Sequence, residues 1–357
     1  MKRVYNFGAG PSMIPTPVLK KVQEELLDYQ NSGMSIMEAS HRSSLYMQVH
    51  QEAIELIKKL YNLPEDFEVL FMQGGASCQF ALVPINLTLN NKAQYAITGV
   101  WSKKAINEAI KLGIDAKIVA SSEDKNFNYI PQVNFSDDVD FCHITSNNTI
   151  YGTQYKNFPA TKSALVVDAS SDIFSYPIDW QKVDLLYAGA QKNAGPAGLT
   201  IVIIKKDLLN RVKQNTPTML QYKTFANANS LYNTPPTFNI YMLNLILKWI
   251  DEQGGLEKIH QINQKKANLL YEAIDNSDGF YIGHAKKEDR SLMNVCFNIK
   301  EKSLEDDFIK KAQQNNIVGI KGHRSVGGLR ASIYNAMPIE GVEFLVEFMK
   351  KFQKENS

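Results

Sequence analysis

Cysteine is scarce in this sequence of 357 residues. The three cysteines, Cys78, Cys142 and Cys296, are odd in number and form no CxxC pair. This argues against a disulfide framework and against a zinc knuckle. We interpret all three as small core residues. Cys296 lies inside the alternating segment NVCFNI, whereas a reactive cysteine needs a partly exposed, electropositive setting.

An excess of charge and long apolar runs are missing too. The 39 basic and 37 acidic residues nearly cancel, which leaves no electrostatic footprint of nucleic-acid or anionic-membrane binding. No segment has the roughly 18 uncharged apolar residues of a membrane span. The start, MKRVYNFGAG, lacks a run of signal-peptide length. We therefore expect a cytoplasmic protein without nucleic-acid or membrane partners, in which any anion site is local.

Metal and nucleotide motifs are absent as well. None of the six histidines has another at the i, i+4 spacing of a metal pair, so we expect no metal. The chain contains neither the P-loop pattern GxxxxGK followed by Ser or Thr nor the dinucleotide fingerprint GxGxxG. Their absence removes the strongest grounds for nucleotide binding.

The sequence does contain a regular alternation of apolar, strand-like runs with helical patterns. The runs cover residues 68–72, 94–98, 115–120, 141–145, 164–167, 185–188 and 199–204. Continuous apolar strands separated by helices predict an α/β fold with a mainly parallel, seven-stranded sheet that is covered on both faces. Before them, Thr16-Pro17 is typical of a helix N-cap and first helical residue, and we expect this helix to reach about residue 29.

The pattern changes around Gly254-Gly255. Beyond them we predict strands at 292–299 and 328–332, a helix that opens at Ser303 with Asp306 as its capping partner, and a last helix whose apolar face includes Val342 and Phe352. We therefore expect three parts: an N-terminal arm (1–16), a large domain (17–255) and a smaller α+β C-terminal domain (256–357).

Lys192 is the most informative residue. It lies in AGAQKNAGPAG (188–198), a small-residue loop between two apolar runs. A lysine there either reaches water or has a chemical partner. A buried lysine with a lowered pKa can form a Schiff base, most often with pyridoxal phosphate (PLP). A tight turn with an exposed lysine is the alternative.

Two further segments distinguish these alternatives. QGGASCQF (73–80) is a glycine turn that opens a helix, so the amides near Ala76 and Ser77 would form a phosphate cup, although a plain turn has the same pattern. Asp168 ends the apolar run ALVVD, where it would either hold a pyridine nitrogen protonated or cap a helix. The order of cup, strand-end Asp and loop Lys favours a PLP enzyme.

Eight segments resemble the phosphoserine aminotransferase family within the class V PLP-dependent aminotransferases. They are NFGAGPS, SHRS, GGASCQF, TGVWS, VVDASSD, YAGAQKNAGPAG, NTPPTF and KGHRSVGGLRASIYNA, between residues 6 and 336. The resemblance implies the type I PLP-transferase fold. It also implies reversible amino transfer between O-phospho-L-serine and 2-oxoglutarate in serine biosynthesis. Some bacterial members also use 4-phosphohydroxy-L-threonine in pyridoxine biosynthesis.

The same resemblance assigns the cofactor contacts. Lys192 is then the Schiff-base lysine, Asp168 pairs with the pyridine nitrogen, Trp101 stacks on the ring and Thr149 lies near the phenolic oxygen. The phosphate is held by a larger set, partly from the second subunit of a homodimer. That set is Ala76, Ser77 and Gln191 of one subunit with Asn233 and Thr234 of the other. Relatives vary at the positions of Ser77 and Cys78, so the side-chain contacts there stay open.

Substrate recognition requires two cationic clusters. A planar carboxylate suits the guanidinium fork, and the resemblance assigns the α-carboxylate to Arg330. The phosphate is then expected at His41, Arg42, His323 and Arg324, across the dimer interface. Two alternatives remain: a class V aminotransferase for an unphosphorylated amino acid, and a PLP-fold binding protein without turnover.

Overall fold

The computed structural model describes residues 3–324 and 326–356. The strands of these residues are β1 (Tyr5–Asn6), β2 (Phe67–Met72), β3 (Lys92–Ile97), β4 (Asp115–Ser121), β5 (Phe141–Thr145), β6 (Ala164–Asp168), β7 (Leu185–Gly189), β8 (Thr200–Lys205), β9 (Tyr281–Gly283), β10 (Asn294–Ile299), β11 (Ile317–Val318) and β12 (Leu329–Ser332). The α-helices are α1 (Thr16–Glu25), α2 (Ser44–Tyr61), α3 (Gly75–Leu87), α4 (Val100–Lys111), α5 (Tyr222–Asn227), α6 (Thr237–Glu252), α7 (Gly255–Asp275), α8 (Glu305–Gln314) and α9 (Ile339–Asn356).

The central sheet has seven strands in the order β2-β8-β7-β6-β5-β3-β4. Strand β8 runs in the opposite direction to the other six strands, since it pairs antiparallel with both β2 and β7. Every residue of β5, β6 and β7 is buried, because both faces of the sheet are covered. Leu165 and Val167 join one apolar cluster, whereas Val166 between them joins the other. The structure therefore confirms the predicted α/β fold with a mostly parallel sheet.

The register of β5 and β6 determines where a ligand site can form. Thr145 lies opposite Asp168, and both residues end their strands. Asp168 in turn lies opposite Tyr187 of β7, two residues before the strand ends at Gly189. The carboxyl ends of neighbouring parallel strands thus lie at one edge, which is where open α/β sheets bind ligands.

The first helix differs from the expectation in two ways. Thr16 is already helical, and its hydroxyl accepts a hydrogen bond from Arg3 at 2.6 Å, while no side chain in the described part of the chain caps α1. The predicted N-cap is therefore wrong. The helix also ends at Glu25 rather than near residue 29, because Asp28 is extended and Gln30 is left-handed. The residue types up to position 29 favour a helix, but the backbone turns away from the helical conformation before that position.

The C-terminal part has its own sheet and core. Strands β12, β10 and β9 form an antiparallel sheet, and α7, α8 and α9 contribute to the apolar cluster around it. The helix expected to open at Ser303 begins instead at Glu305, after a 3₁₀ turn at Lys302–Leu304. The Ser303 hydroxyl donates to Glu301 at 2.7 Å, so it does not cap α8 and that prediction is wrong.

The N-terminal arm forms a two-stranded sheet with the C-terminal part of the chain. Strand β1 pairs in parallel with β11, and Phe7 is fully buried in the C-terminal cluster. Further on, the Ser12 amide donates to the carbonyl of Gln191 at 3.0 Å. The arm therefore connects the C-terminal part of the chain to the loop of Lys192. The division into domains 17–255 and 256–357 remains a prediction.

Candidate active site

A cavity of about 450 Å³ opens at the carboxyl edge of the central sheet. It is bounded by the ends of β5 and β6, the loop after β7, the first turns of α3 and α4, and the N-terminal arm. Its lining is Gly10, Pro11, Gly74, Gly75, Ala76, Ser77, Phe80, Trp101, Thr145, Asn147, Thr149, Asp168, Ser170, Ser171, Gln191, Lys192, Ala197 and Gly198. The cavity therefore contains the cup, the carboxylate and the lysine that the sequence singled out.

Lys192 extends into this cavity. Its Nζ donates to Thr149 Oγ1 at 2.7 Å and lies 6.0 Å from the centroid of the Trp101 ring. Burial lowers the pKa of Lys192 to about 8; Asp168 opposes this shift, and the charge of Arg330 adds to it. The side chain is thus a half-buried amine facing the cavity, rather than an exposed turn residue.

Asp168 is buried at the end of β6. Its Oδ1 accepts hydrogen bonds from the Ser170 amide at 3.0 Å and the Ser170 hydroxyl at 2.6 Å. Within the described residues both hydrogen bonds end on Oδ1, which leaves Oδ2 for a ligand. Burial raises the pKa of Asp168, although the bonds from Ser170 and the charge of Lys192 oppose it. Asp168 therefore both caps a local turn and lines the cavity.

The glycine turn between β2 and α3 forms the opposite end of the cavity. Gly74 and Gly75 have φ values of 89° and 64°, the left-handed region that glycine enters without strain. No side chain of residues 3–324 or 326–356 caps α3, and its first turn contains no acidic residue. The amides at Ala76 and Ser77 are therefore available at the positive end of the helix dipole. This arrangement suits a phosphate group.

Three buried polar atoms around the cavity have no hydrogen-bond partner among the residues that the structure describes. They are Trp101 Nε1, Thr145 Oγ1 and Arg330 Nε. A buried donor without a partner costs about 1–3 kcal/mol, and such groups are usually satisfied in native proteins. Trp101 and Thr145 line the cavity itself. These unpaired polar atoms indicate a site in which a bound polar ligand supplies the hydrogen-bond partners.

Arg330 approaches the same region from the C-terminal sheet. It lies on β12 with 9% of its surface exposed, and its Nη1 donates to the carbonyl of Thr149 at 3.3 Å. Thr149 also accepts the hydrogen bond of Lys192. Thr149 therefore contacts both cations: its carbonyl accepts from Arg330 and its hydroxyl accepts from Lys192.

Known proteins resemble this chain over nearly its whole length. A sequence profile described as Aminotransferase class-V matches residues 4–345. The chain belongs to this family. The phosphoserine aminotransferase of Campylobacter jejuni serotype O:2 is 57% identical over 353 residues, covering 98% of this chain and 99% of the relative. That of Geobacillus kaustophilus is 54% identical over 358 residues, covering 99% of each.

Solved structures agree with the sequence comparison. Phosphoserine aminotransferase from Bacillus circulans subsp. alkalophilus superposes with a TM-score of 0.98 at 49% identity, covering 100% of both chains. PLP-bound phosphoserine aminotransferase from Trichomonas vaginalis gives 0.93 at 40% identity and covers 98% of this chain and 100% of that one. These matches confirm the predicted family and the type I fold of class V aminotransferases.

Several predicted residues of this class V aminotransferase lie outside the cavity of the single chain. Arg42, Arg324 and Thr234 are exposed, while His41, His323 and Asn233 are half-buried. The carbonyl of Thr234 accepts a long hydrogen bond from Gln73 Nε2 at 3.5 Å. Their expected roles toward the substrate phosphate and a partner subunit remain predictions.

The sequence did not predict how the N-terminal arm contacts the lysine loop. Besides its amide contact with Gln191, Ser12 donates its hydroxyl to the Lys192 carbonyl. A Cβ at Gly10 would lie 3.4 Å from Lys192 Cγ, so the arm packs closely against the lysine stem. The motif NFGAGPS marked this segment as distinctive, but no local pattern could assign it a partner at residue 192.

Asp172 is a second buried carboxylate that the sequence left without a role. It accepts hydrogen bonds from Ser146 Oγ at 2.5 Å, Gln154 Nε2 at 3.1 Å and Tyr176 at 3.0 Å. Burial raises its pKa to about 6. Because Ser146 also contacts the Asp168 carbonyl at 3.0 Å, Asp172 supports the strand end that carries Asp168. The only sequence signal was its place in VVDASSD.

Two other observations concern possible partners. No helix in the described part of the chain combines the length and apolar character needed to cross a membrane. Among residues 3–324 and 326–356, no three His, Cys, Asp or Glu side chains are grouped as metal ligands.

Proposed function

We propose that this protein is a PLP-dependent enzyme that transfers the amino group reversibly between O-phospho-L-serine and 2-oxoglutarate, giving 3-phosphohydroxypyruvate and L-glutamate. The observation that carries the proposal is the cavity in which Lys192 faces Trp101, with Asp168 nearby and the N-terminus of α3 in the same lining. The relatives with more than half of their residues identical to this chain carry the same activity in their names.

The residues present fit PLP. Lys192 supplies the amine for its aldehyde, Asp168 Oδ2 an acceptor for the ring nitrogen and Trp101 an aromatic face. The amides of Ala76 and Ser77 supply donors for its phosphate, and Gln191 lines the same cavity. When bound, the cofactor supplies an electron-withdrawing ring that stabilises negative charge at the substrate Cα.

Lys192 performs the proton transfer. Because its pKa is about 8, the Lys192 amine is neutral in part of the molecules near pH 7. The neutral amine can accept the Cα proton and return it. Thr149 holds the Nζ by a 2.7 Å hydrogen bond. Asp168, ionised beside a cationic ligand, favours the protonated form of a ring nitrogen.

The substrate's two anions require separate cations. Arg330 presents a largely buried guanidinium next to Thr149, which suits the planar α-carboxylate. His41, Arg42, His323 and Arg324 are proposed for the phosphate. Exposed charges are ordinarily solvated, so this assignment depends on the pairing of the two subunits.

A comparison of two amino donors tests the function. Glutamate formation from 2-oxoglutarate should be much faster with phosphoserine than with serine. Equal rates would favour the alternative, a class V aminotransferase for an unphosphorylated amino acid. A cofactor absorbance band that does not shift on adding glutamate would instead indicate a binding protein without turnover.

We also propose a homodimer in which Asn233 and Thr234 complete the cofactor site of the partner. Tyr232, which precedes Asn233 in the chain, exposes 52% of its surface, which is consistent with an interface at this segment. Cofactor affinity should then fall on dilution below the dimer dissociation constant. A fully active monomer in analytical ultracentrifugation would contradict the shared site.

A cytoplasmic location, a role in serine biosynthesis and use of 4-phosphohydroxy-L-threonine in pyridoxine biosynthesis complete the proposal. The last is tested by the same assay with that four-carbon donor. No turnover of it would restrict the enzyme to the serine pathway.

A further inference from the structure

Helix α4 brings a second lysine to Trp101. Trp101 and Lys104 are three residues apart, so their side chains lie on the same face of α4. The Nζ of Lys104 is 4.7 Å from the centroid of the Trp101 ring, a distance typical of a cation–π contact. Since Trp101 lines the cavity, this contact places the ammonium of Lys104 beside the active site.

The charge of Lys104 has no ion-pair partner among the described residues. Its side chain is exposed, and within the described part of the chain no carboxylate approaches its Nζ within 4 Å. The adjacent Lys103 has a different environment, because it forms an ion pair with Glu123 and lies 5.5 Å from the centroid of the Phe127 ring. Two consecutive lysines thus differ in whether they face a carboxylate.

The positive charge of Lys104 also acts on His323, which lies in the loop between β11 and β12. The pKa of His323 is lowered first by burial and then by the charges of Arg330, Arg324 and Lys104. All three charges are positive, so each repels the protonated form of His323. A bound phosphate, with a charge of −1.5 to −2 near pH 7, would relieve that repulsion.

We propose that Lys104 is a specificity-determining residue, which favours amino donors with a strongly anionic distal group by adding a fixed positive charge beside Trp101. This inference rests on the proposed function, since it concerns the same substrate phosphate. The effect follows the charge of the distal group: large for phosphoserine, smaller for glutamate and absent for serine.

Lys104→Gln tests this inference, with Lys103→Gln as the matched control and Lys104→Arg as the rescue. In stopped-flow half-reactions of the holoenzyme, Lys104→Gln should lower kcat/KM for phosphoserine roughly 2- to 5-fold at low salt. The loss should shrink as salt is added, because the lysine is exposed. Serine should be unaffected, and Lys104→Arg should restore the rate with phosphoserine.

The outcomes separate the inference from the function. Equal losses for phosphoserine, glutamate and serine would show that Lys104 only supports Trp101, which would overturn the inference. The same kinetics for Lys104→Gln and Lys103→Gln would also overturn the inference about Lys104. In either case, a wild-type enzyme that prefers phosphoserine to serine would still support the proposed function. A wild-type enzyme with no such preference would overturn the function itself.

Discussion

Replacing Gly74 by alanine should damage the turn that presents the helix dipole to the cavity. Gly74 has φ 89°, and a Cβ built there would lie 2.6 Å from Cys78 Cβ and 3.0 Å from its Sγ. Gly75 is the matched control, because its φ is 64° and a Cβ there would meet no atom of the described residues within 4 Å beyond its own stretch of helix. Both substitutions put an L-residue in the left-handed region, but only one also creates a clash.

The expected magnitudes follow from these two terms. The left-handed conformation costs a non-glycine residue roughly 1–2 kcal/mol, and forcing an extra carbon into a packed position adds typically 1–3 kcal/mol. Gly75→Ala should therefore lower the free energy of unfolding by about 1–2 kcal/mol. Gly74→Ala should lower it by about 2–5 kcal/mol.

Urea unfolding of the cofactor-free proteins measures this difference. Cys78→Ala in the Gly74→Ala background should recover only part of the loss, because it removes Sγ but leaves the Cβ at 2.6 Å. If relief of the clash moves the first turn of α3, PLP binding should also weaken by ~10-fold or more for Gly74→Ala, since 1.4 kcal/mol corresponds to a factor of ten. Equal destabilisation by the two alanines would refute the reasoning.

Three further predictions concern individual charges. Lys192→Ala should abolish multiple turnover in the coupled glutamate assay while leaving the fold intact, because only a primary amine can react with the cofactor's aldehyde; sustained turnover would disprove the mechanism. Arg42→Ala should lower kcat/KM for phosphoserine at least ~10-fold, since a charge-assisted contact contributes roughly 1.5–3 kcal/mol, with hardly any change for serine; equal losses would place the phosphate elsewhere. Burial lowers the pKa of Lys192 from 10.5 to about 8, so the unfolded chain binds more protons between these values and the free energy of unfolding of the apoprotein should rise with pH across that window, by up to roughly 3 kcal/mol. Urea unfolding measured from pH 8 to 10 should show this rise for the wild-type protein but not for Lys192→Met. If the free energy of unfolding depends on pH equally in both proteins, the lowered pKa of Lys192 is contradicted.

Local patterns in the sequence were sufficient for the central sheet and indicated a candidate site at its edge. Each buried strand carries a continuous apolar run because both of its faces are covered, as in ALVVD before Asp168. The positive φ values of Gly74 and Gly75 and the loop position of Lys192 are likewise local properties. Motifs that resemble a known family then predicted the reaction and suggested the residue roles, which periodicity alone could not provide.

Helix boundaries were predicted less well. The N-cap at Thr16 and the helix opening at Ser303 were wrong because a capping residue type does not determine where the backbone becomes helical. At Ser303 the nearby Glu301 takes the hydroxyl, and at Thr16 the side chain accepts from Arg3. In both cases a competing partner for the side chain was not apparent from the capping pattern.

Only the tertiary structure decided which distant segments meet. The pairing of β1 with β11, the contact of Ser12 with Lys192 and the approach of Arg330 to Thr149 each join residues more than a hundred positions apart. Such contacts leave no periodic trace in the sequence, since they depend on how whole elements pack. The lowered pKa of Lys192 has the same origin, because desolvation is a property of the assembled cavity and not of the loop that carries the lysine.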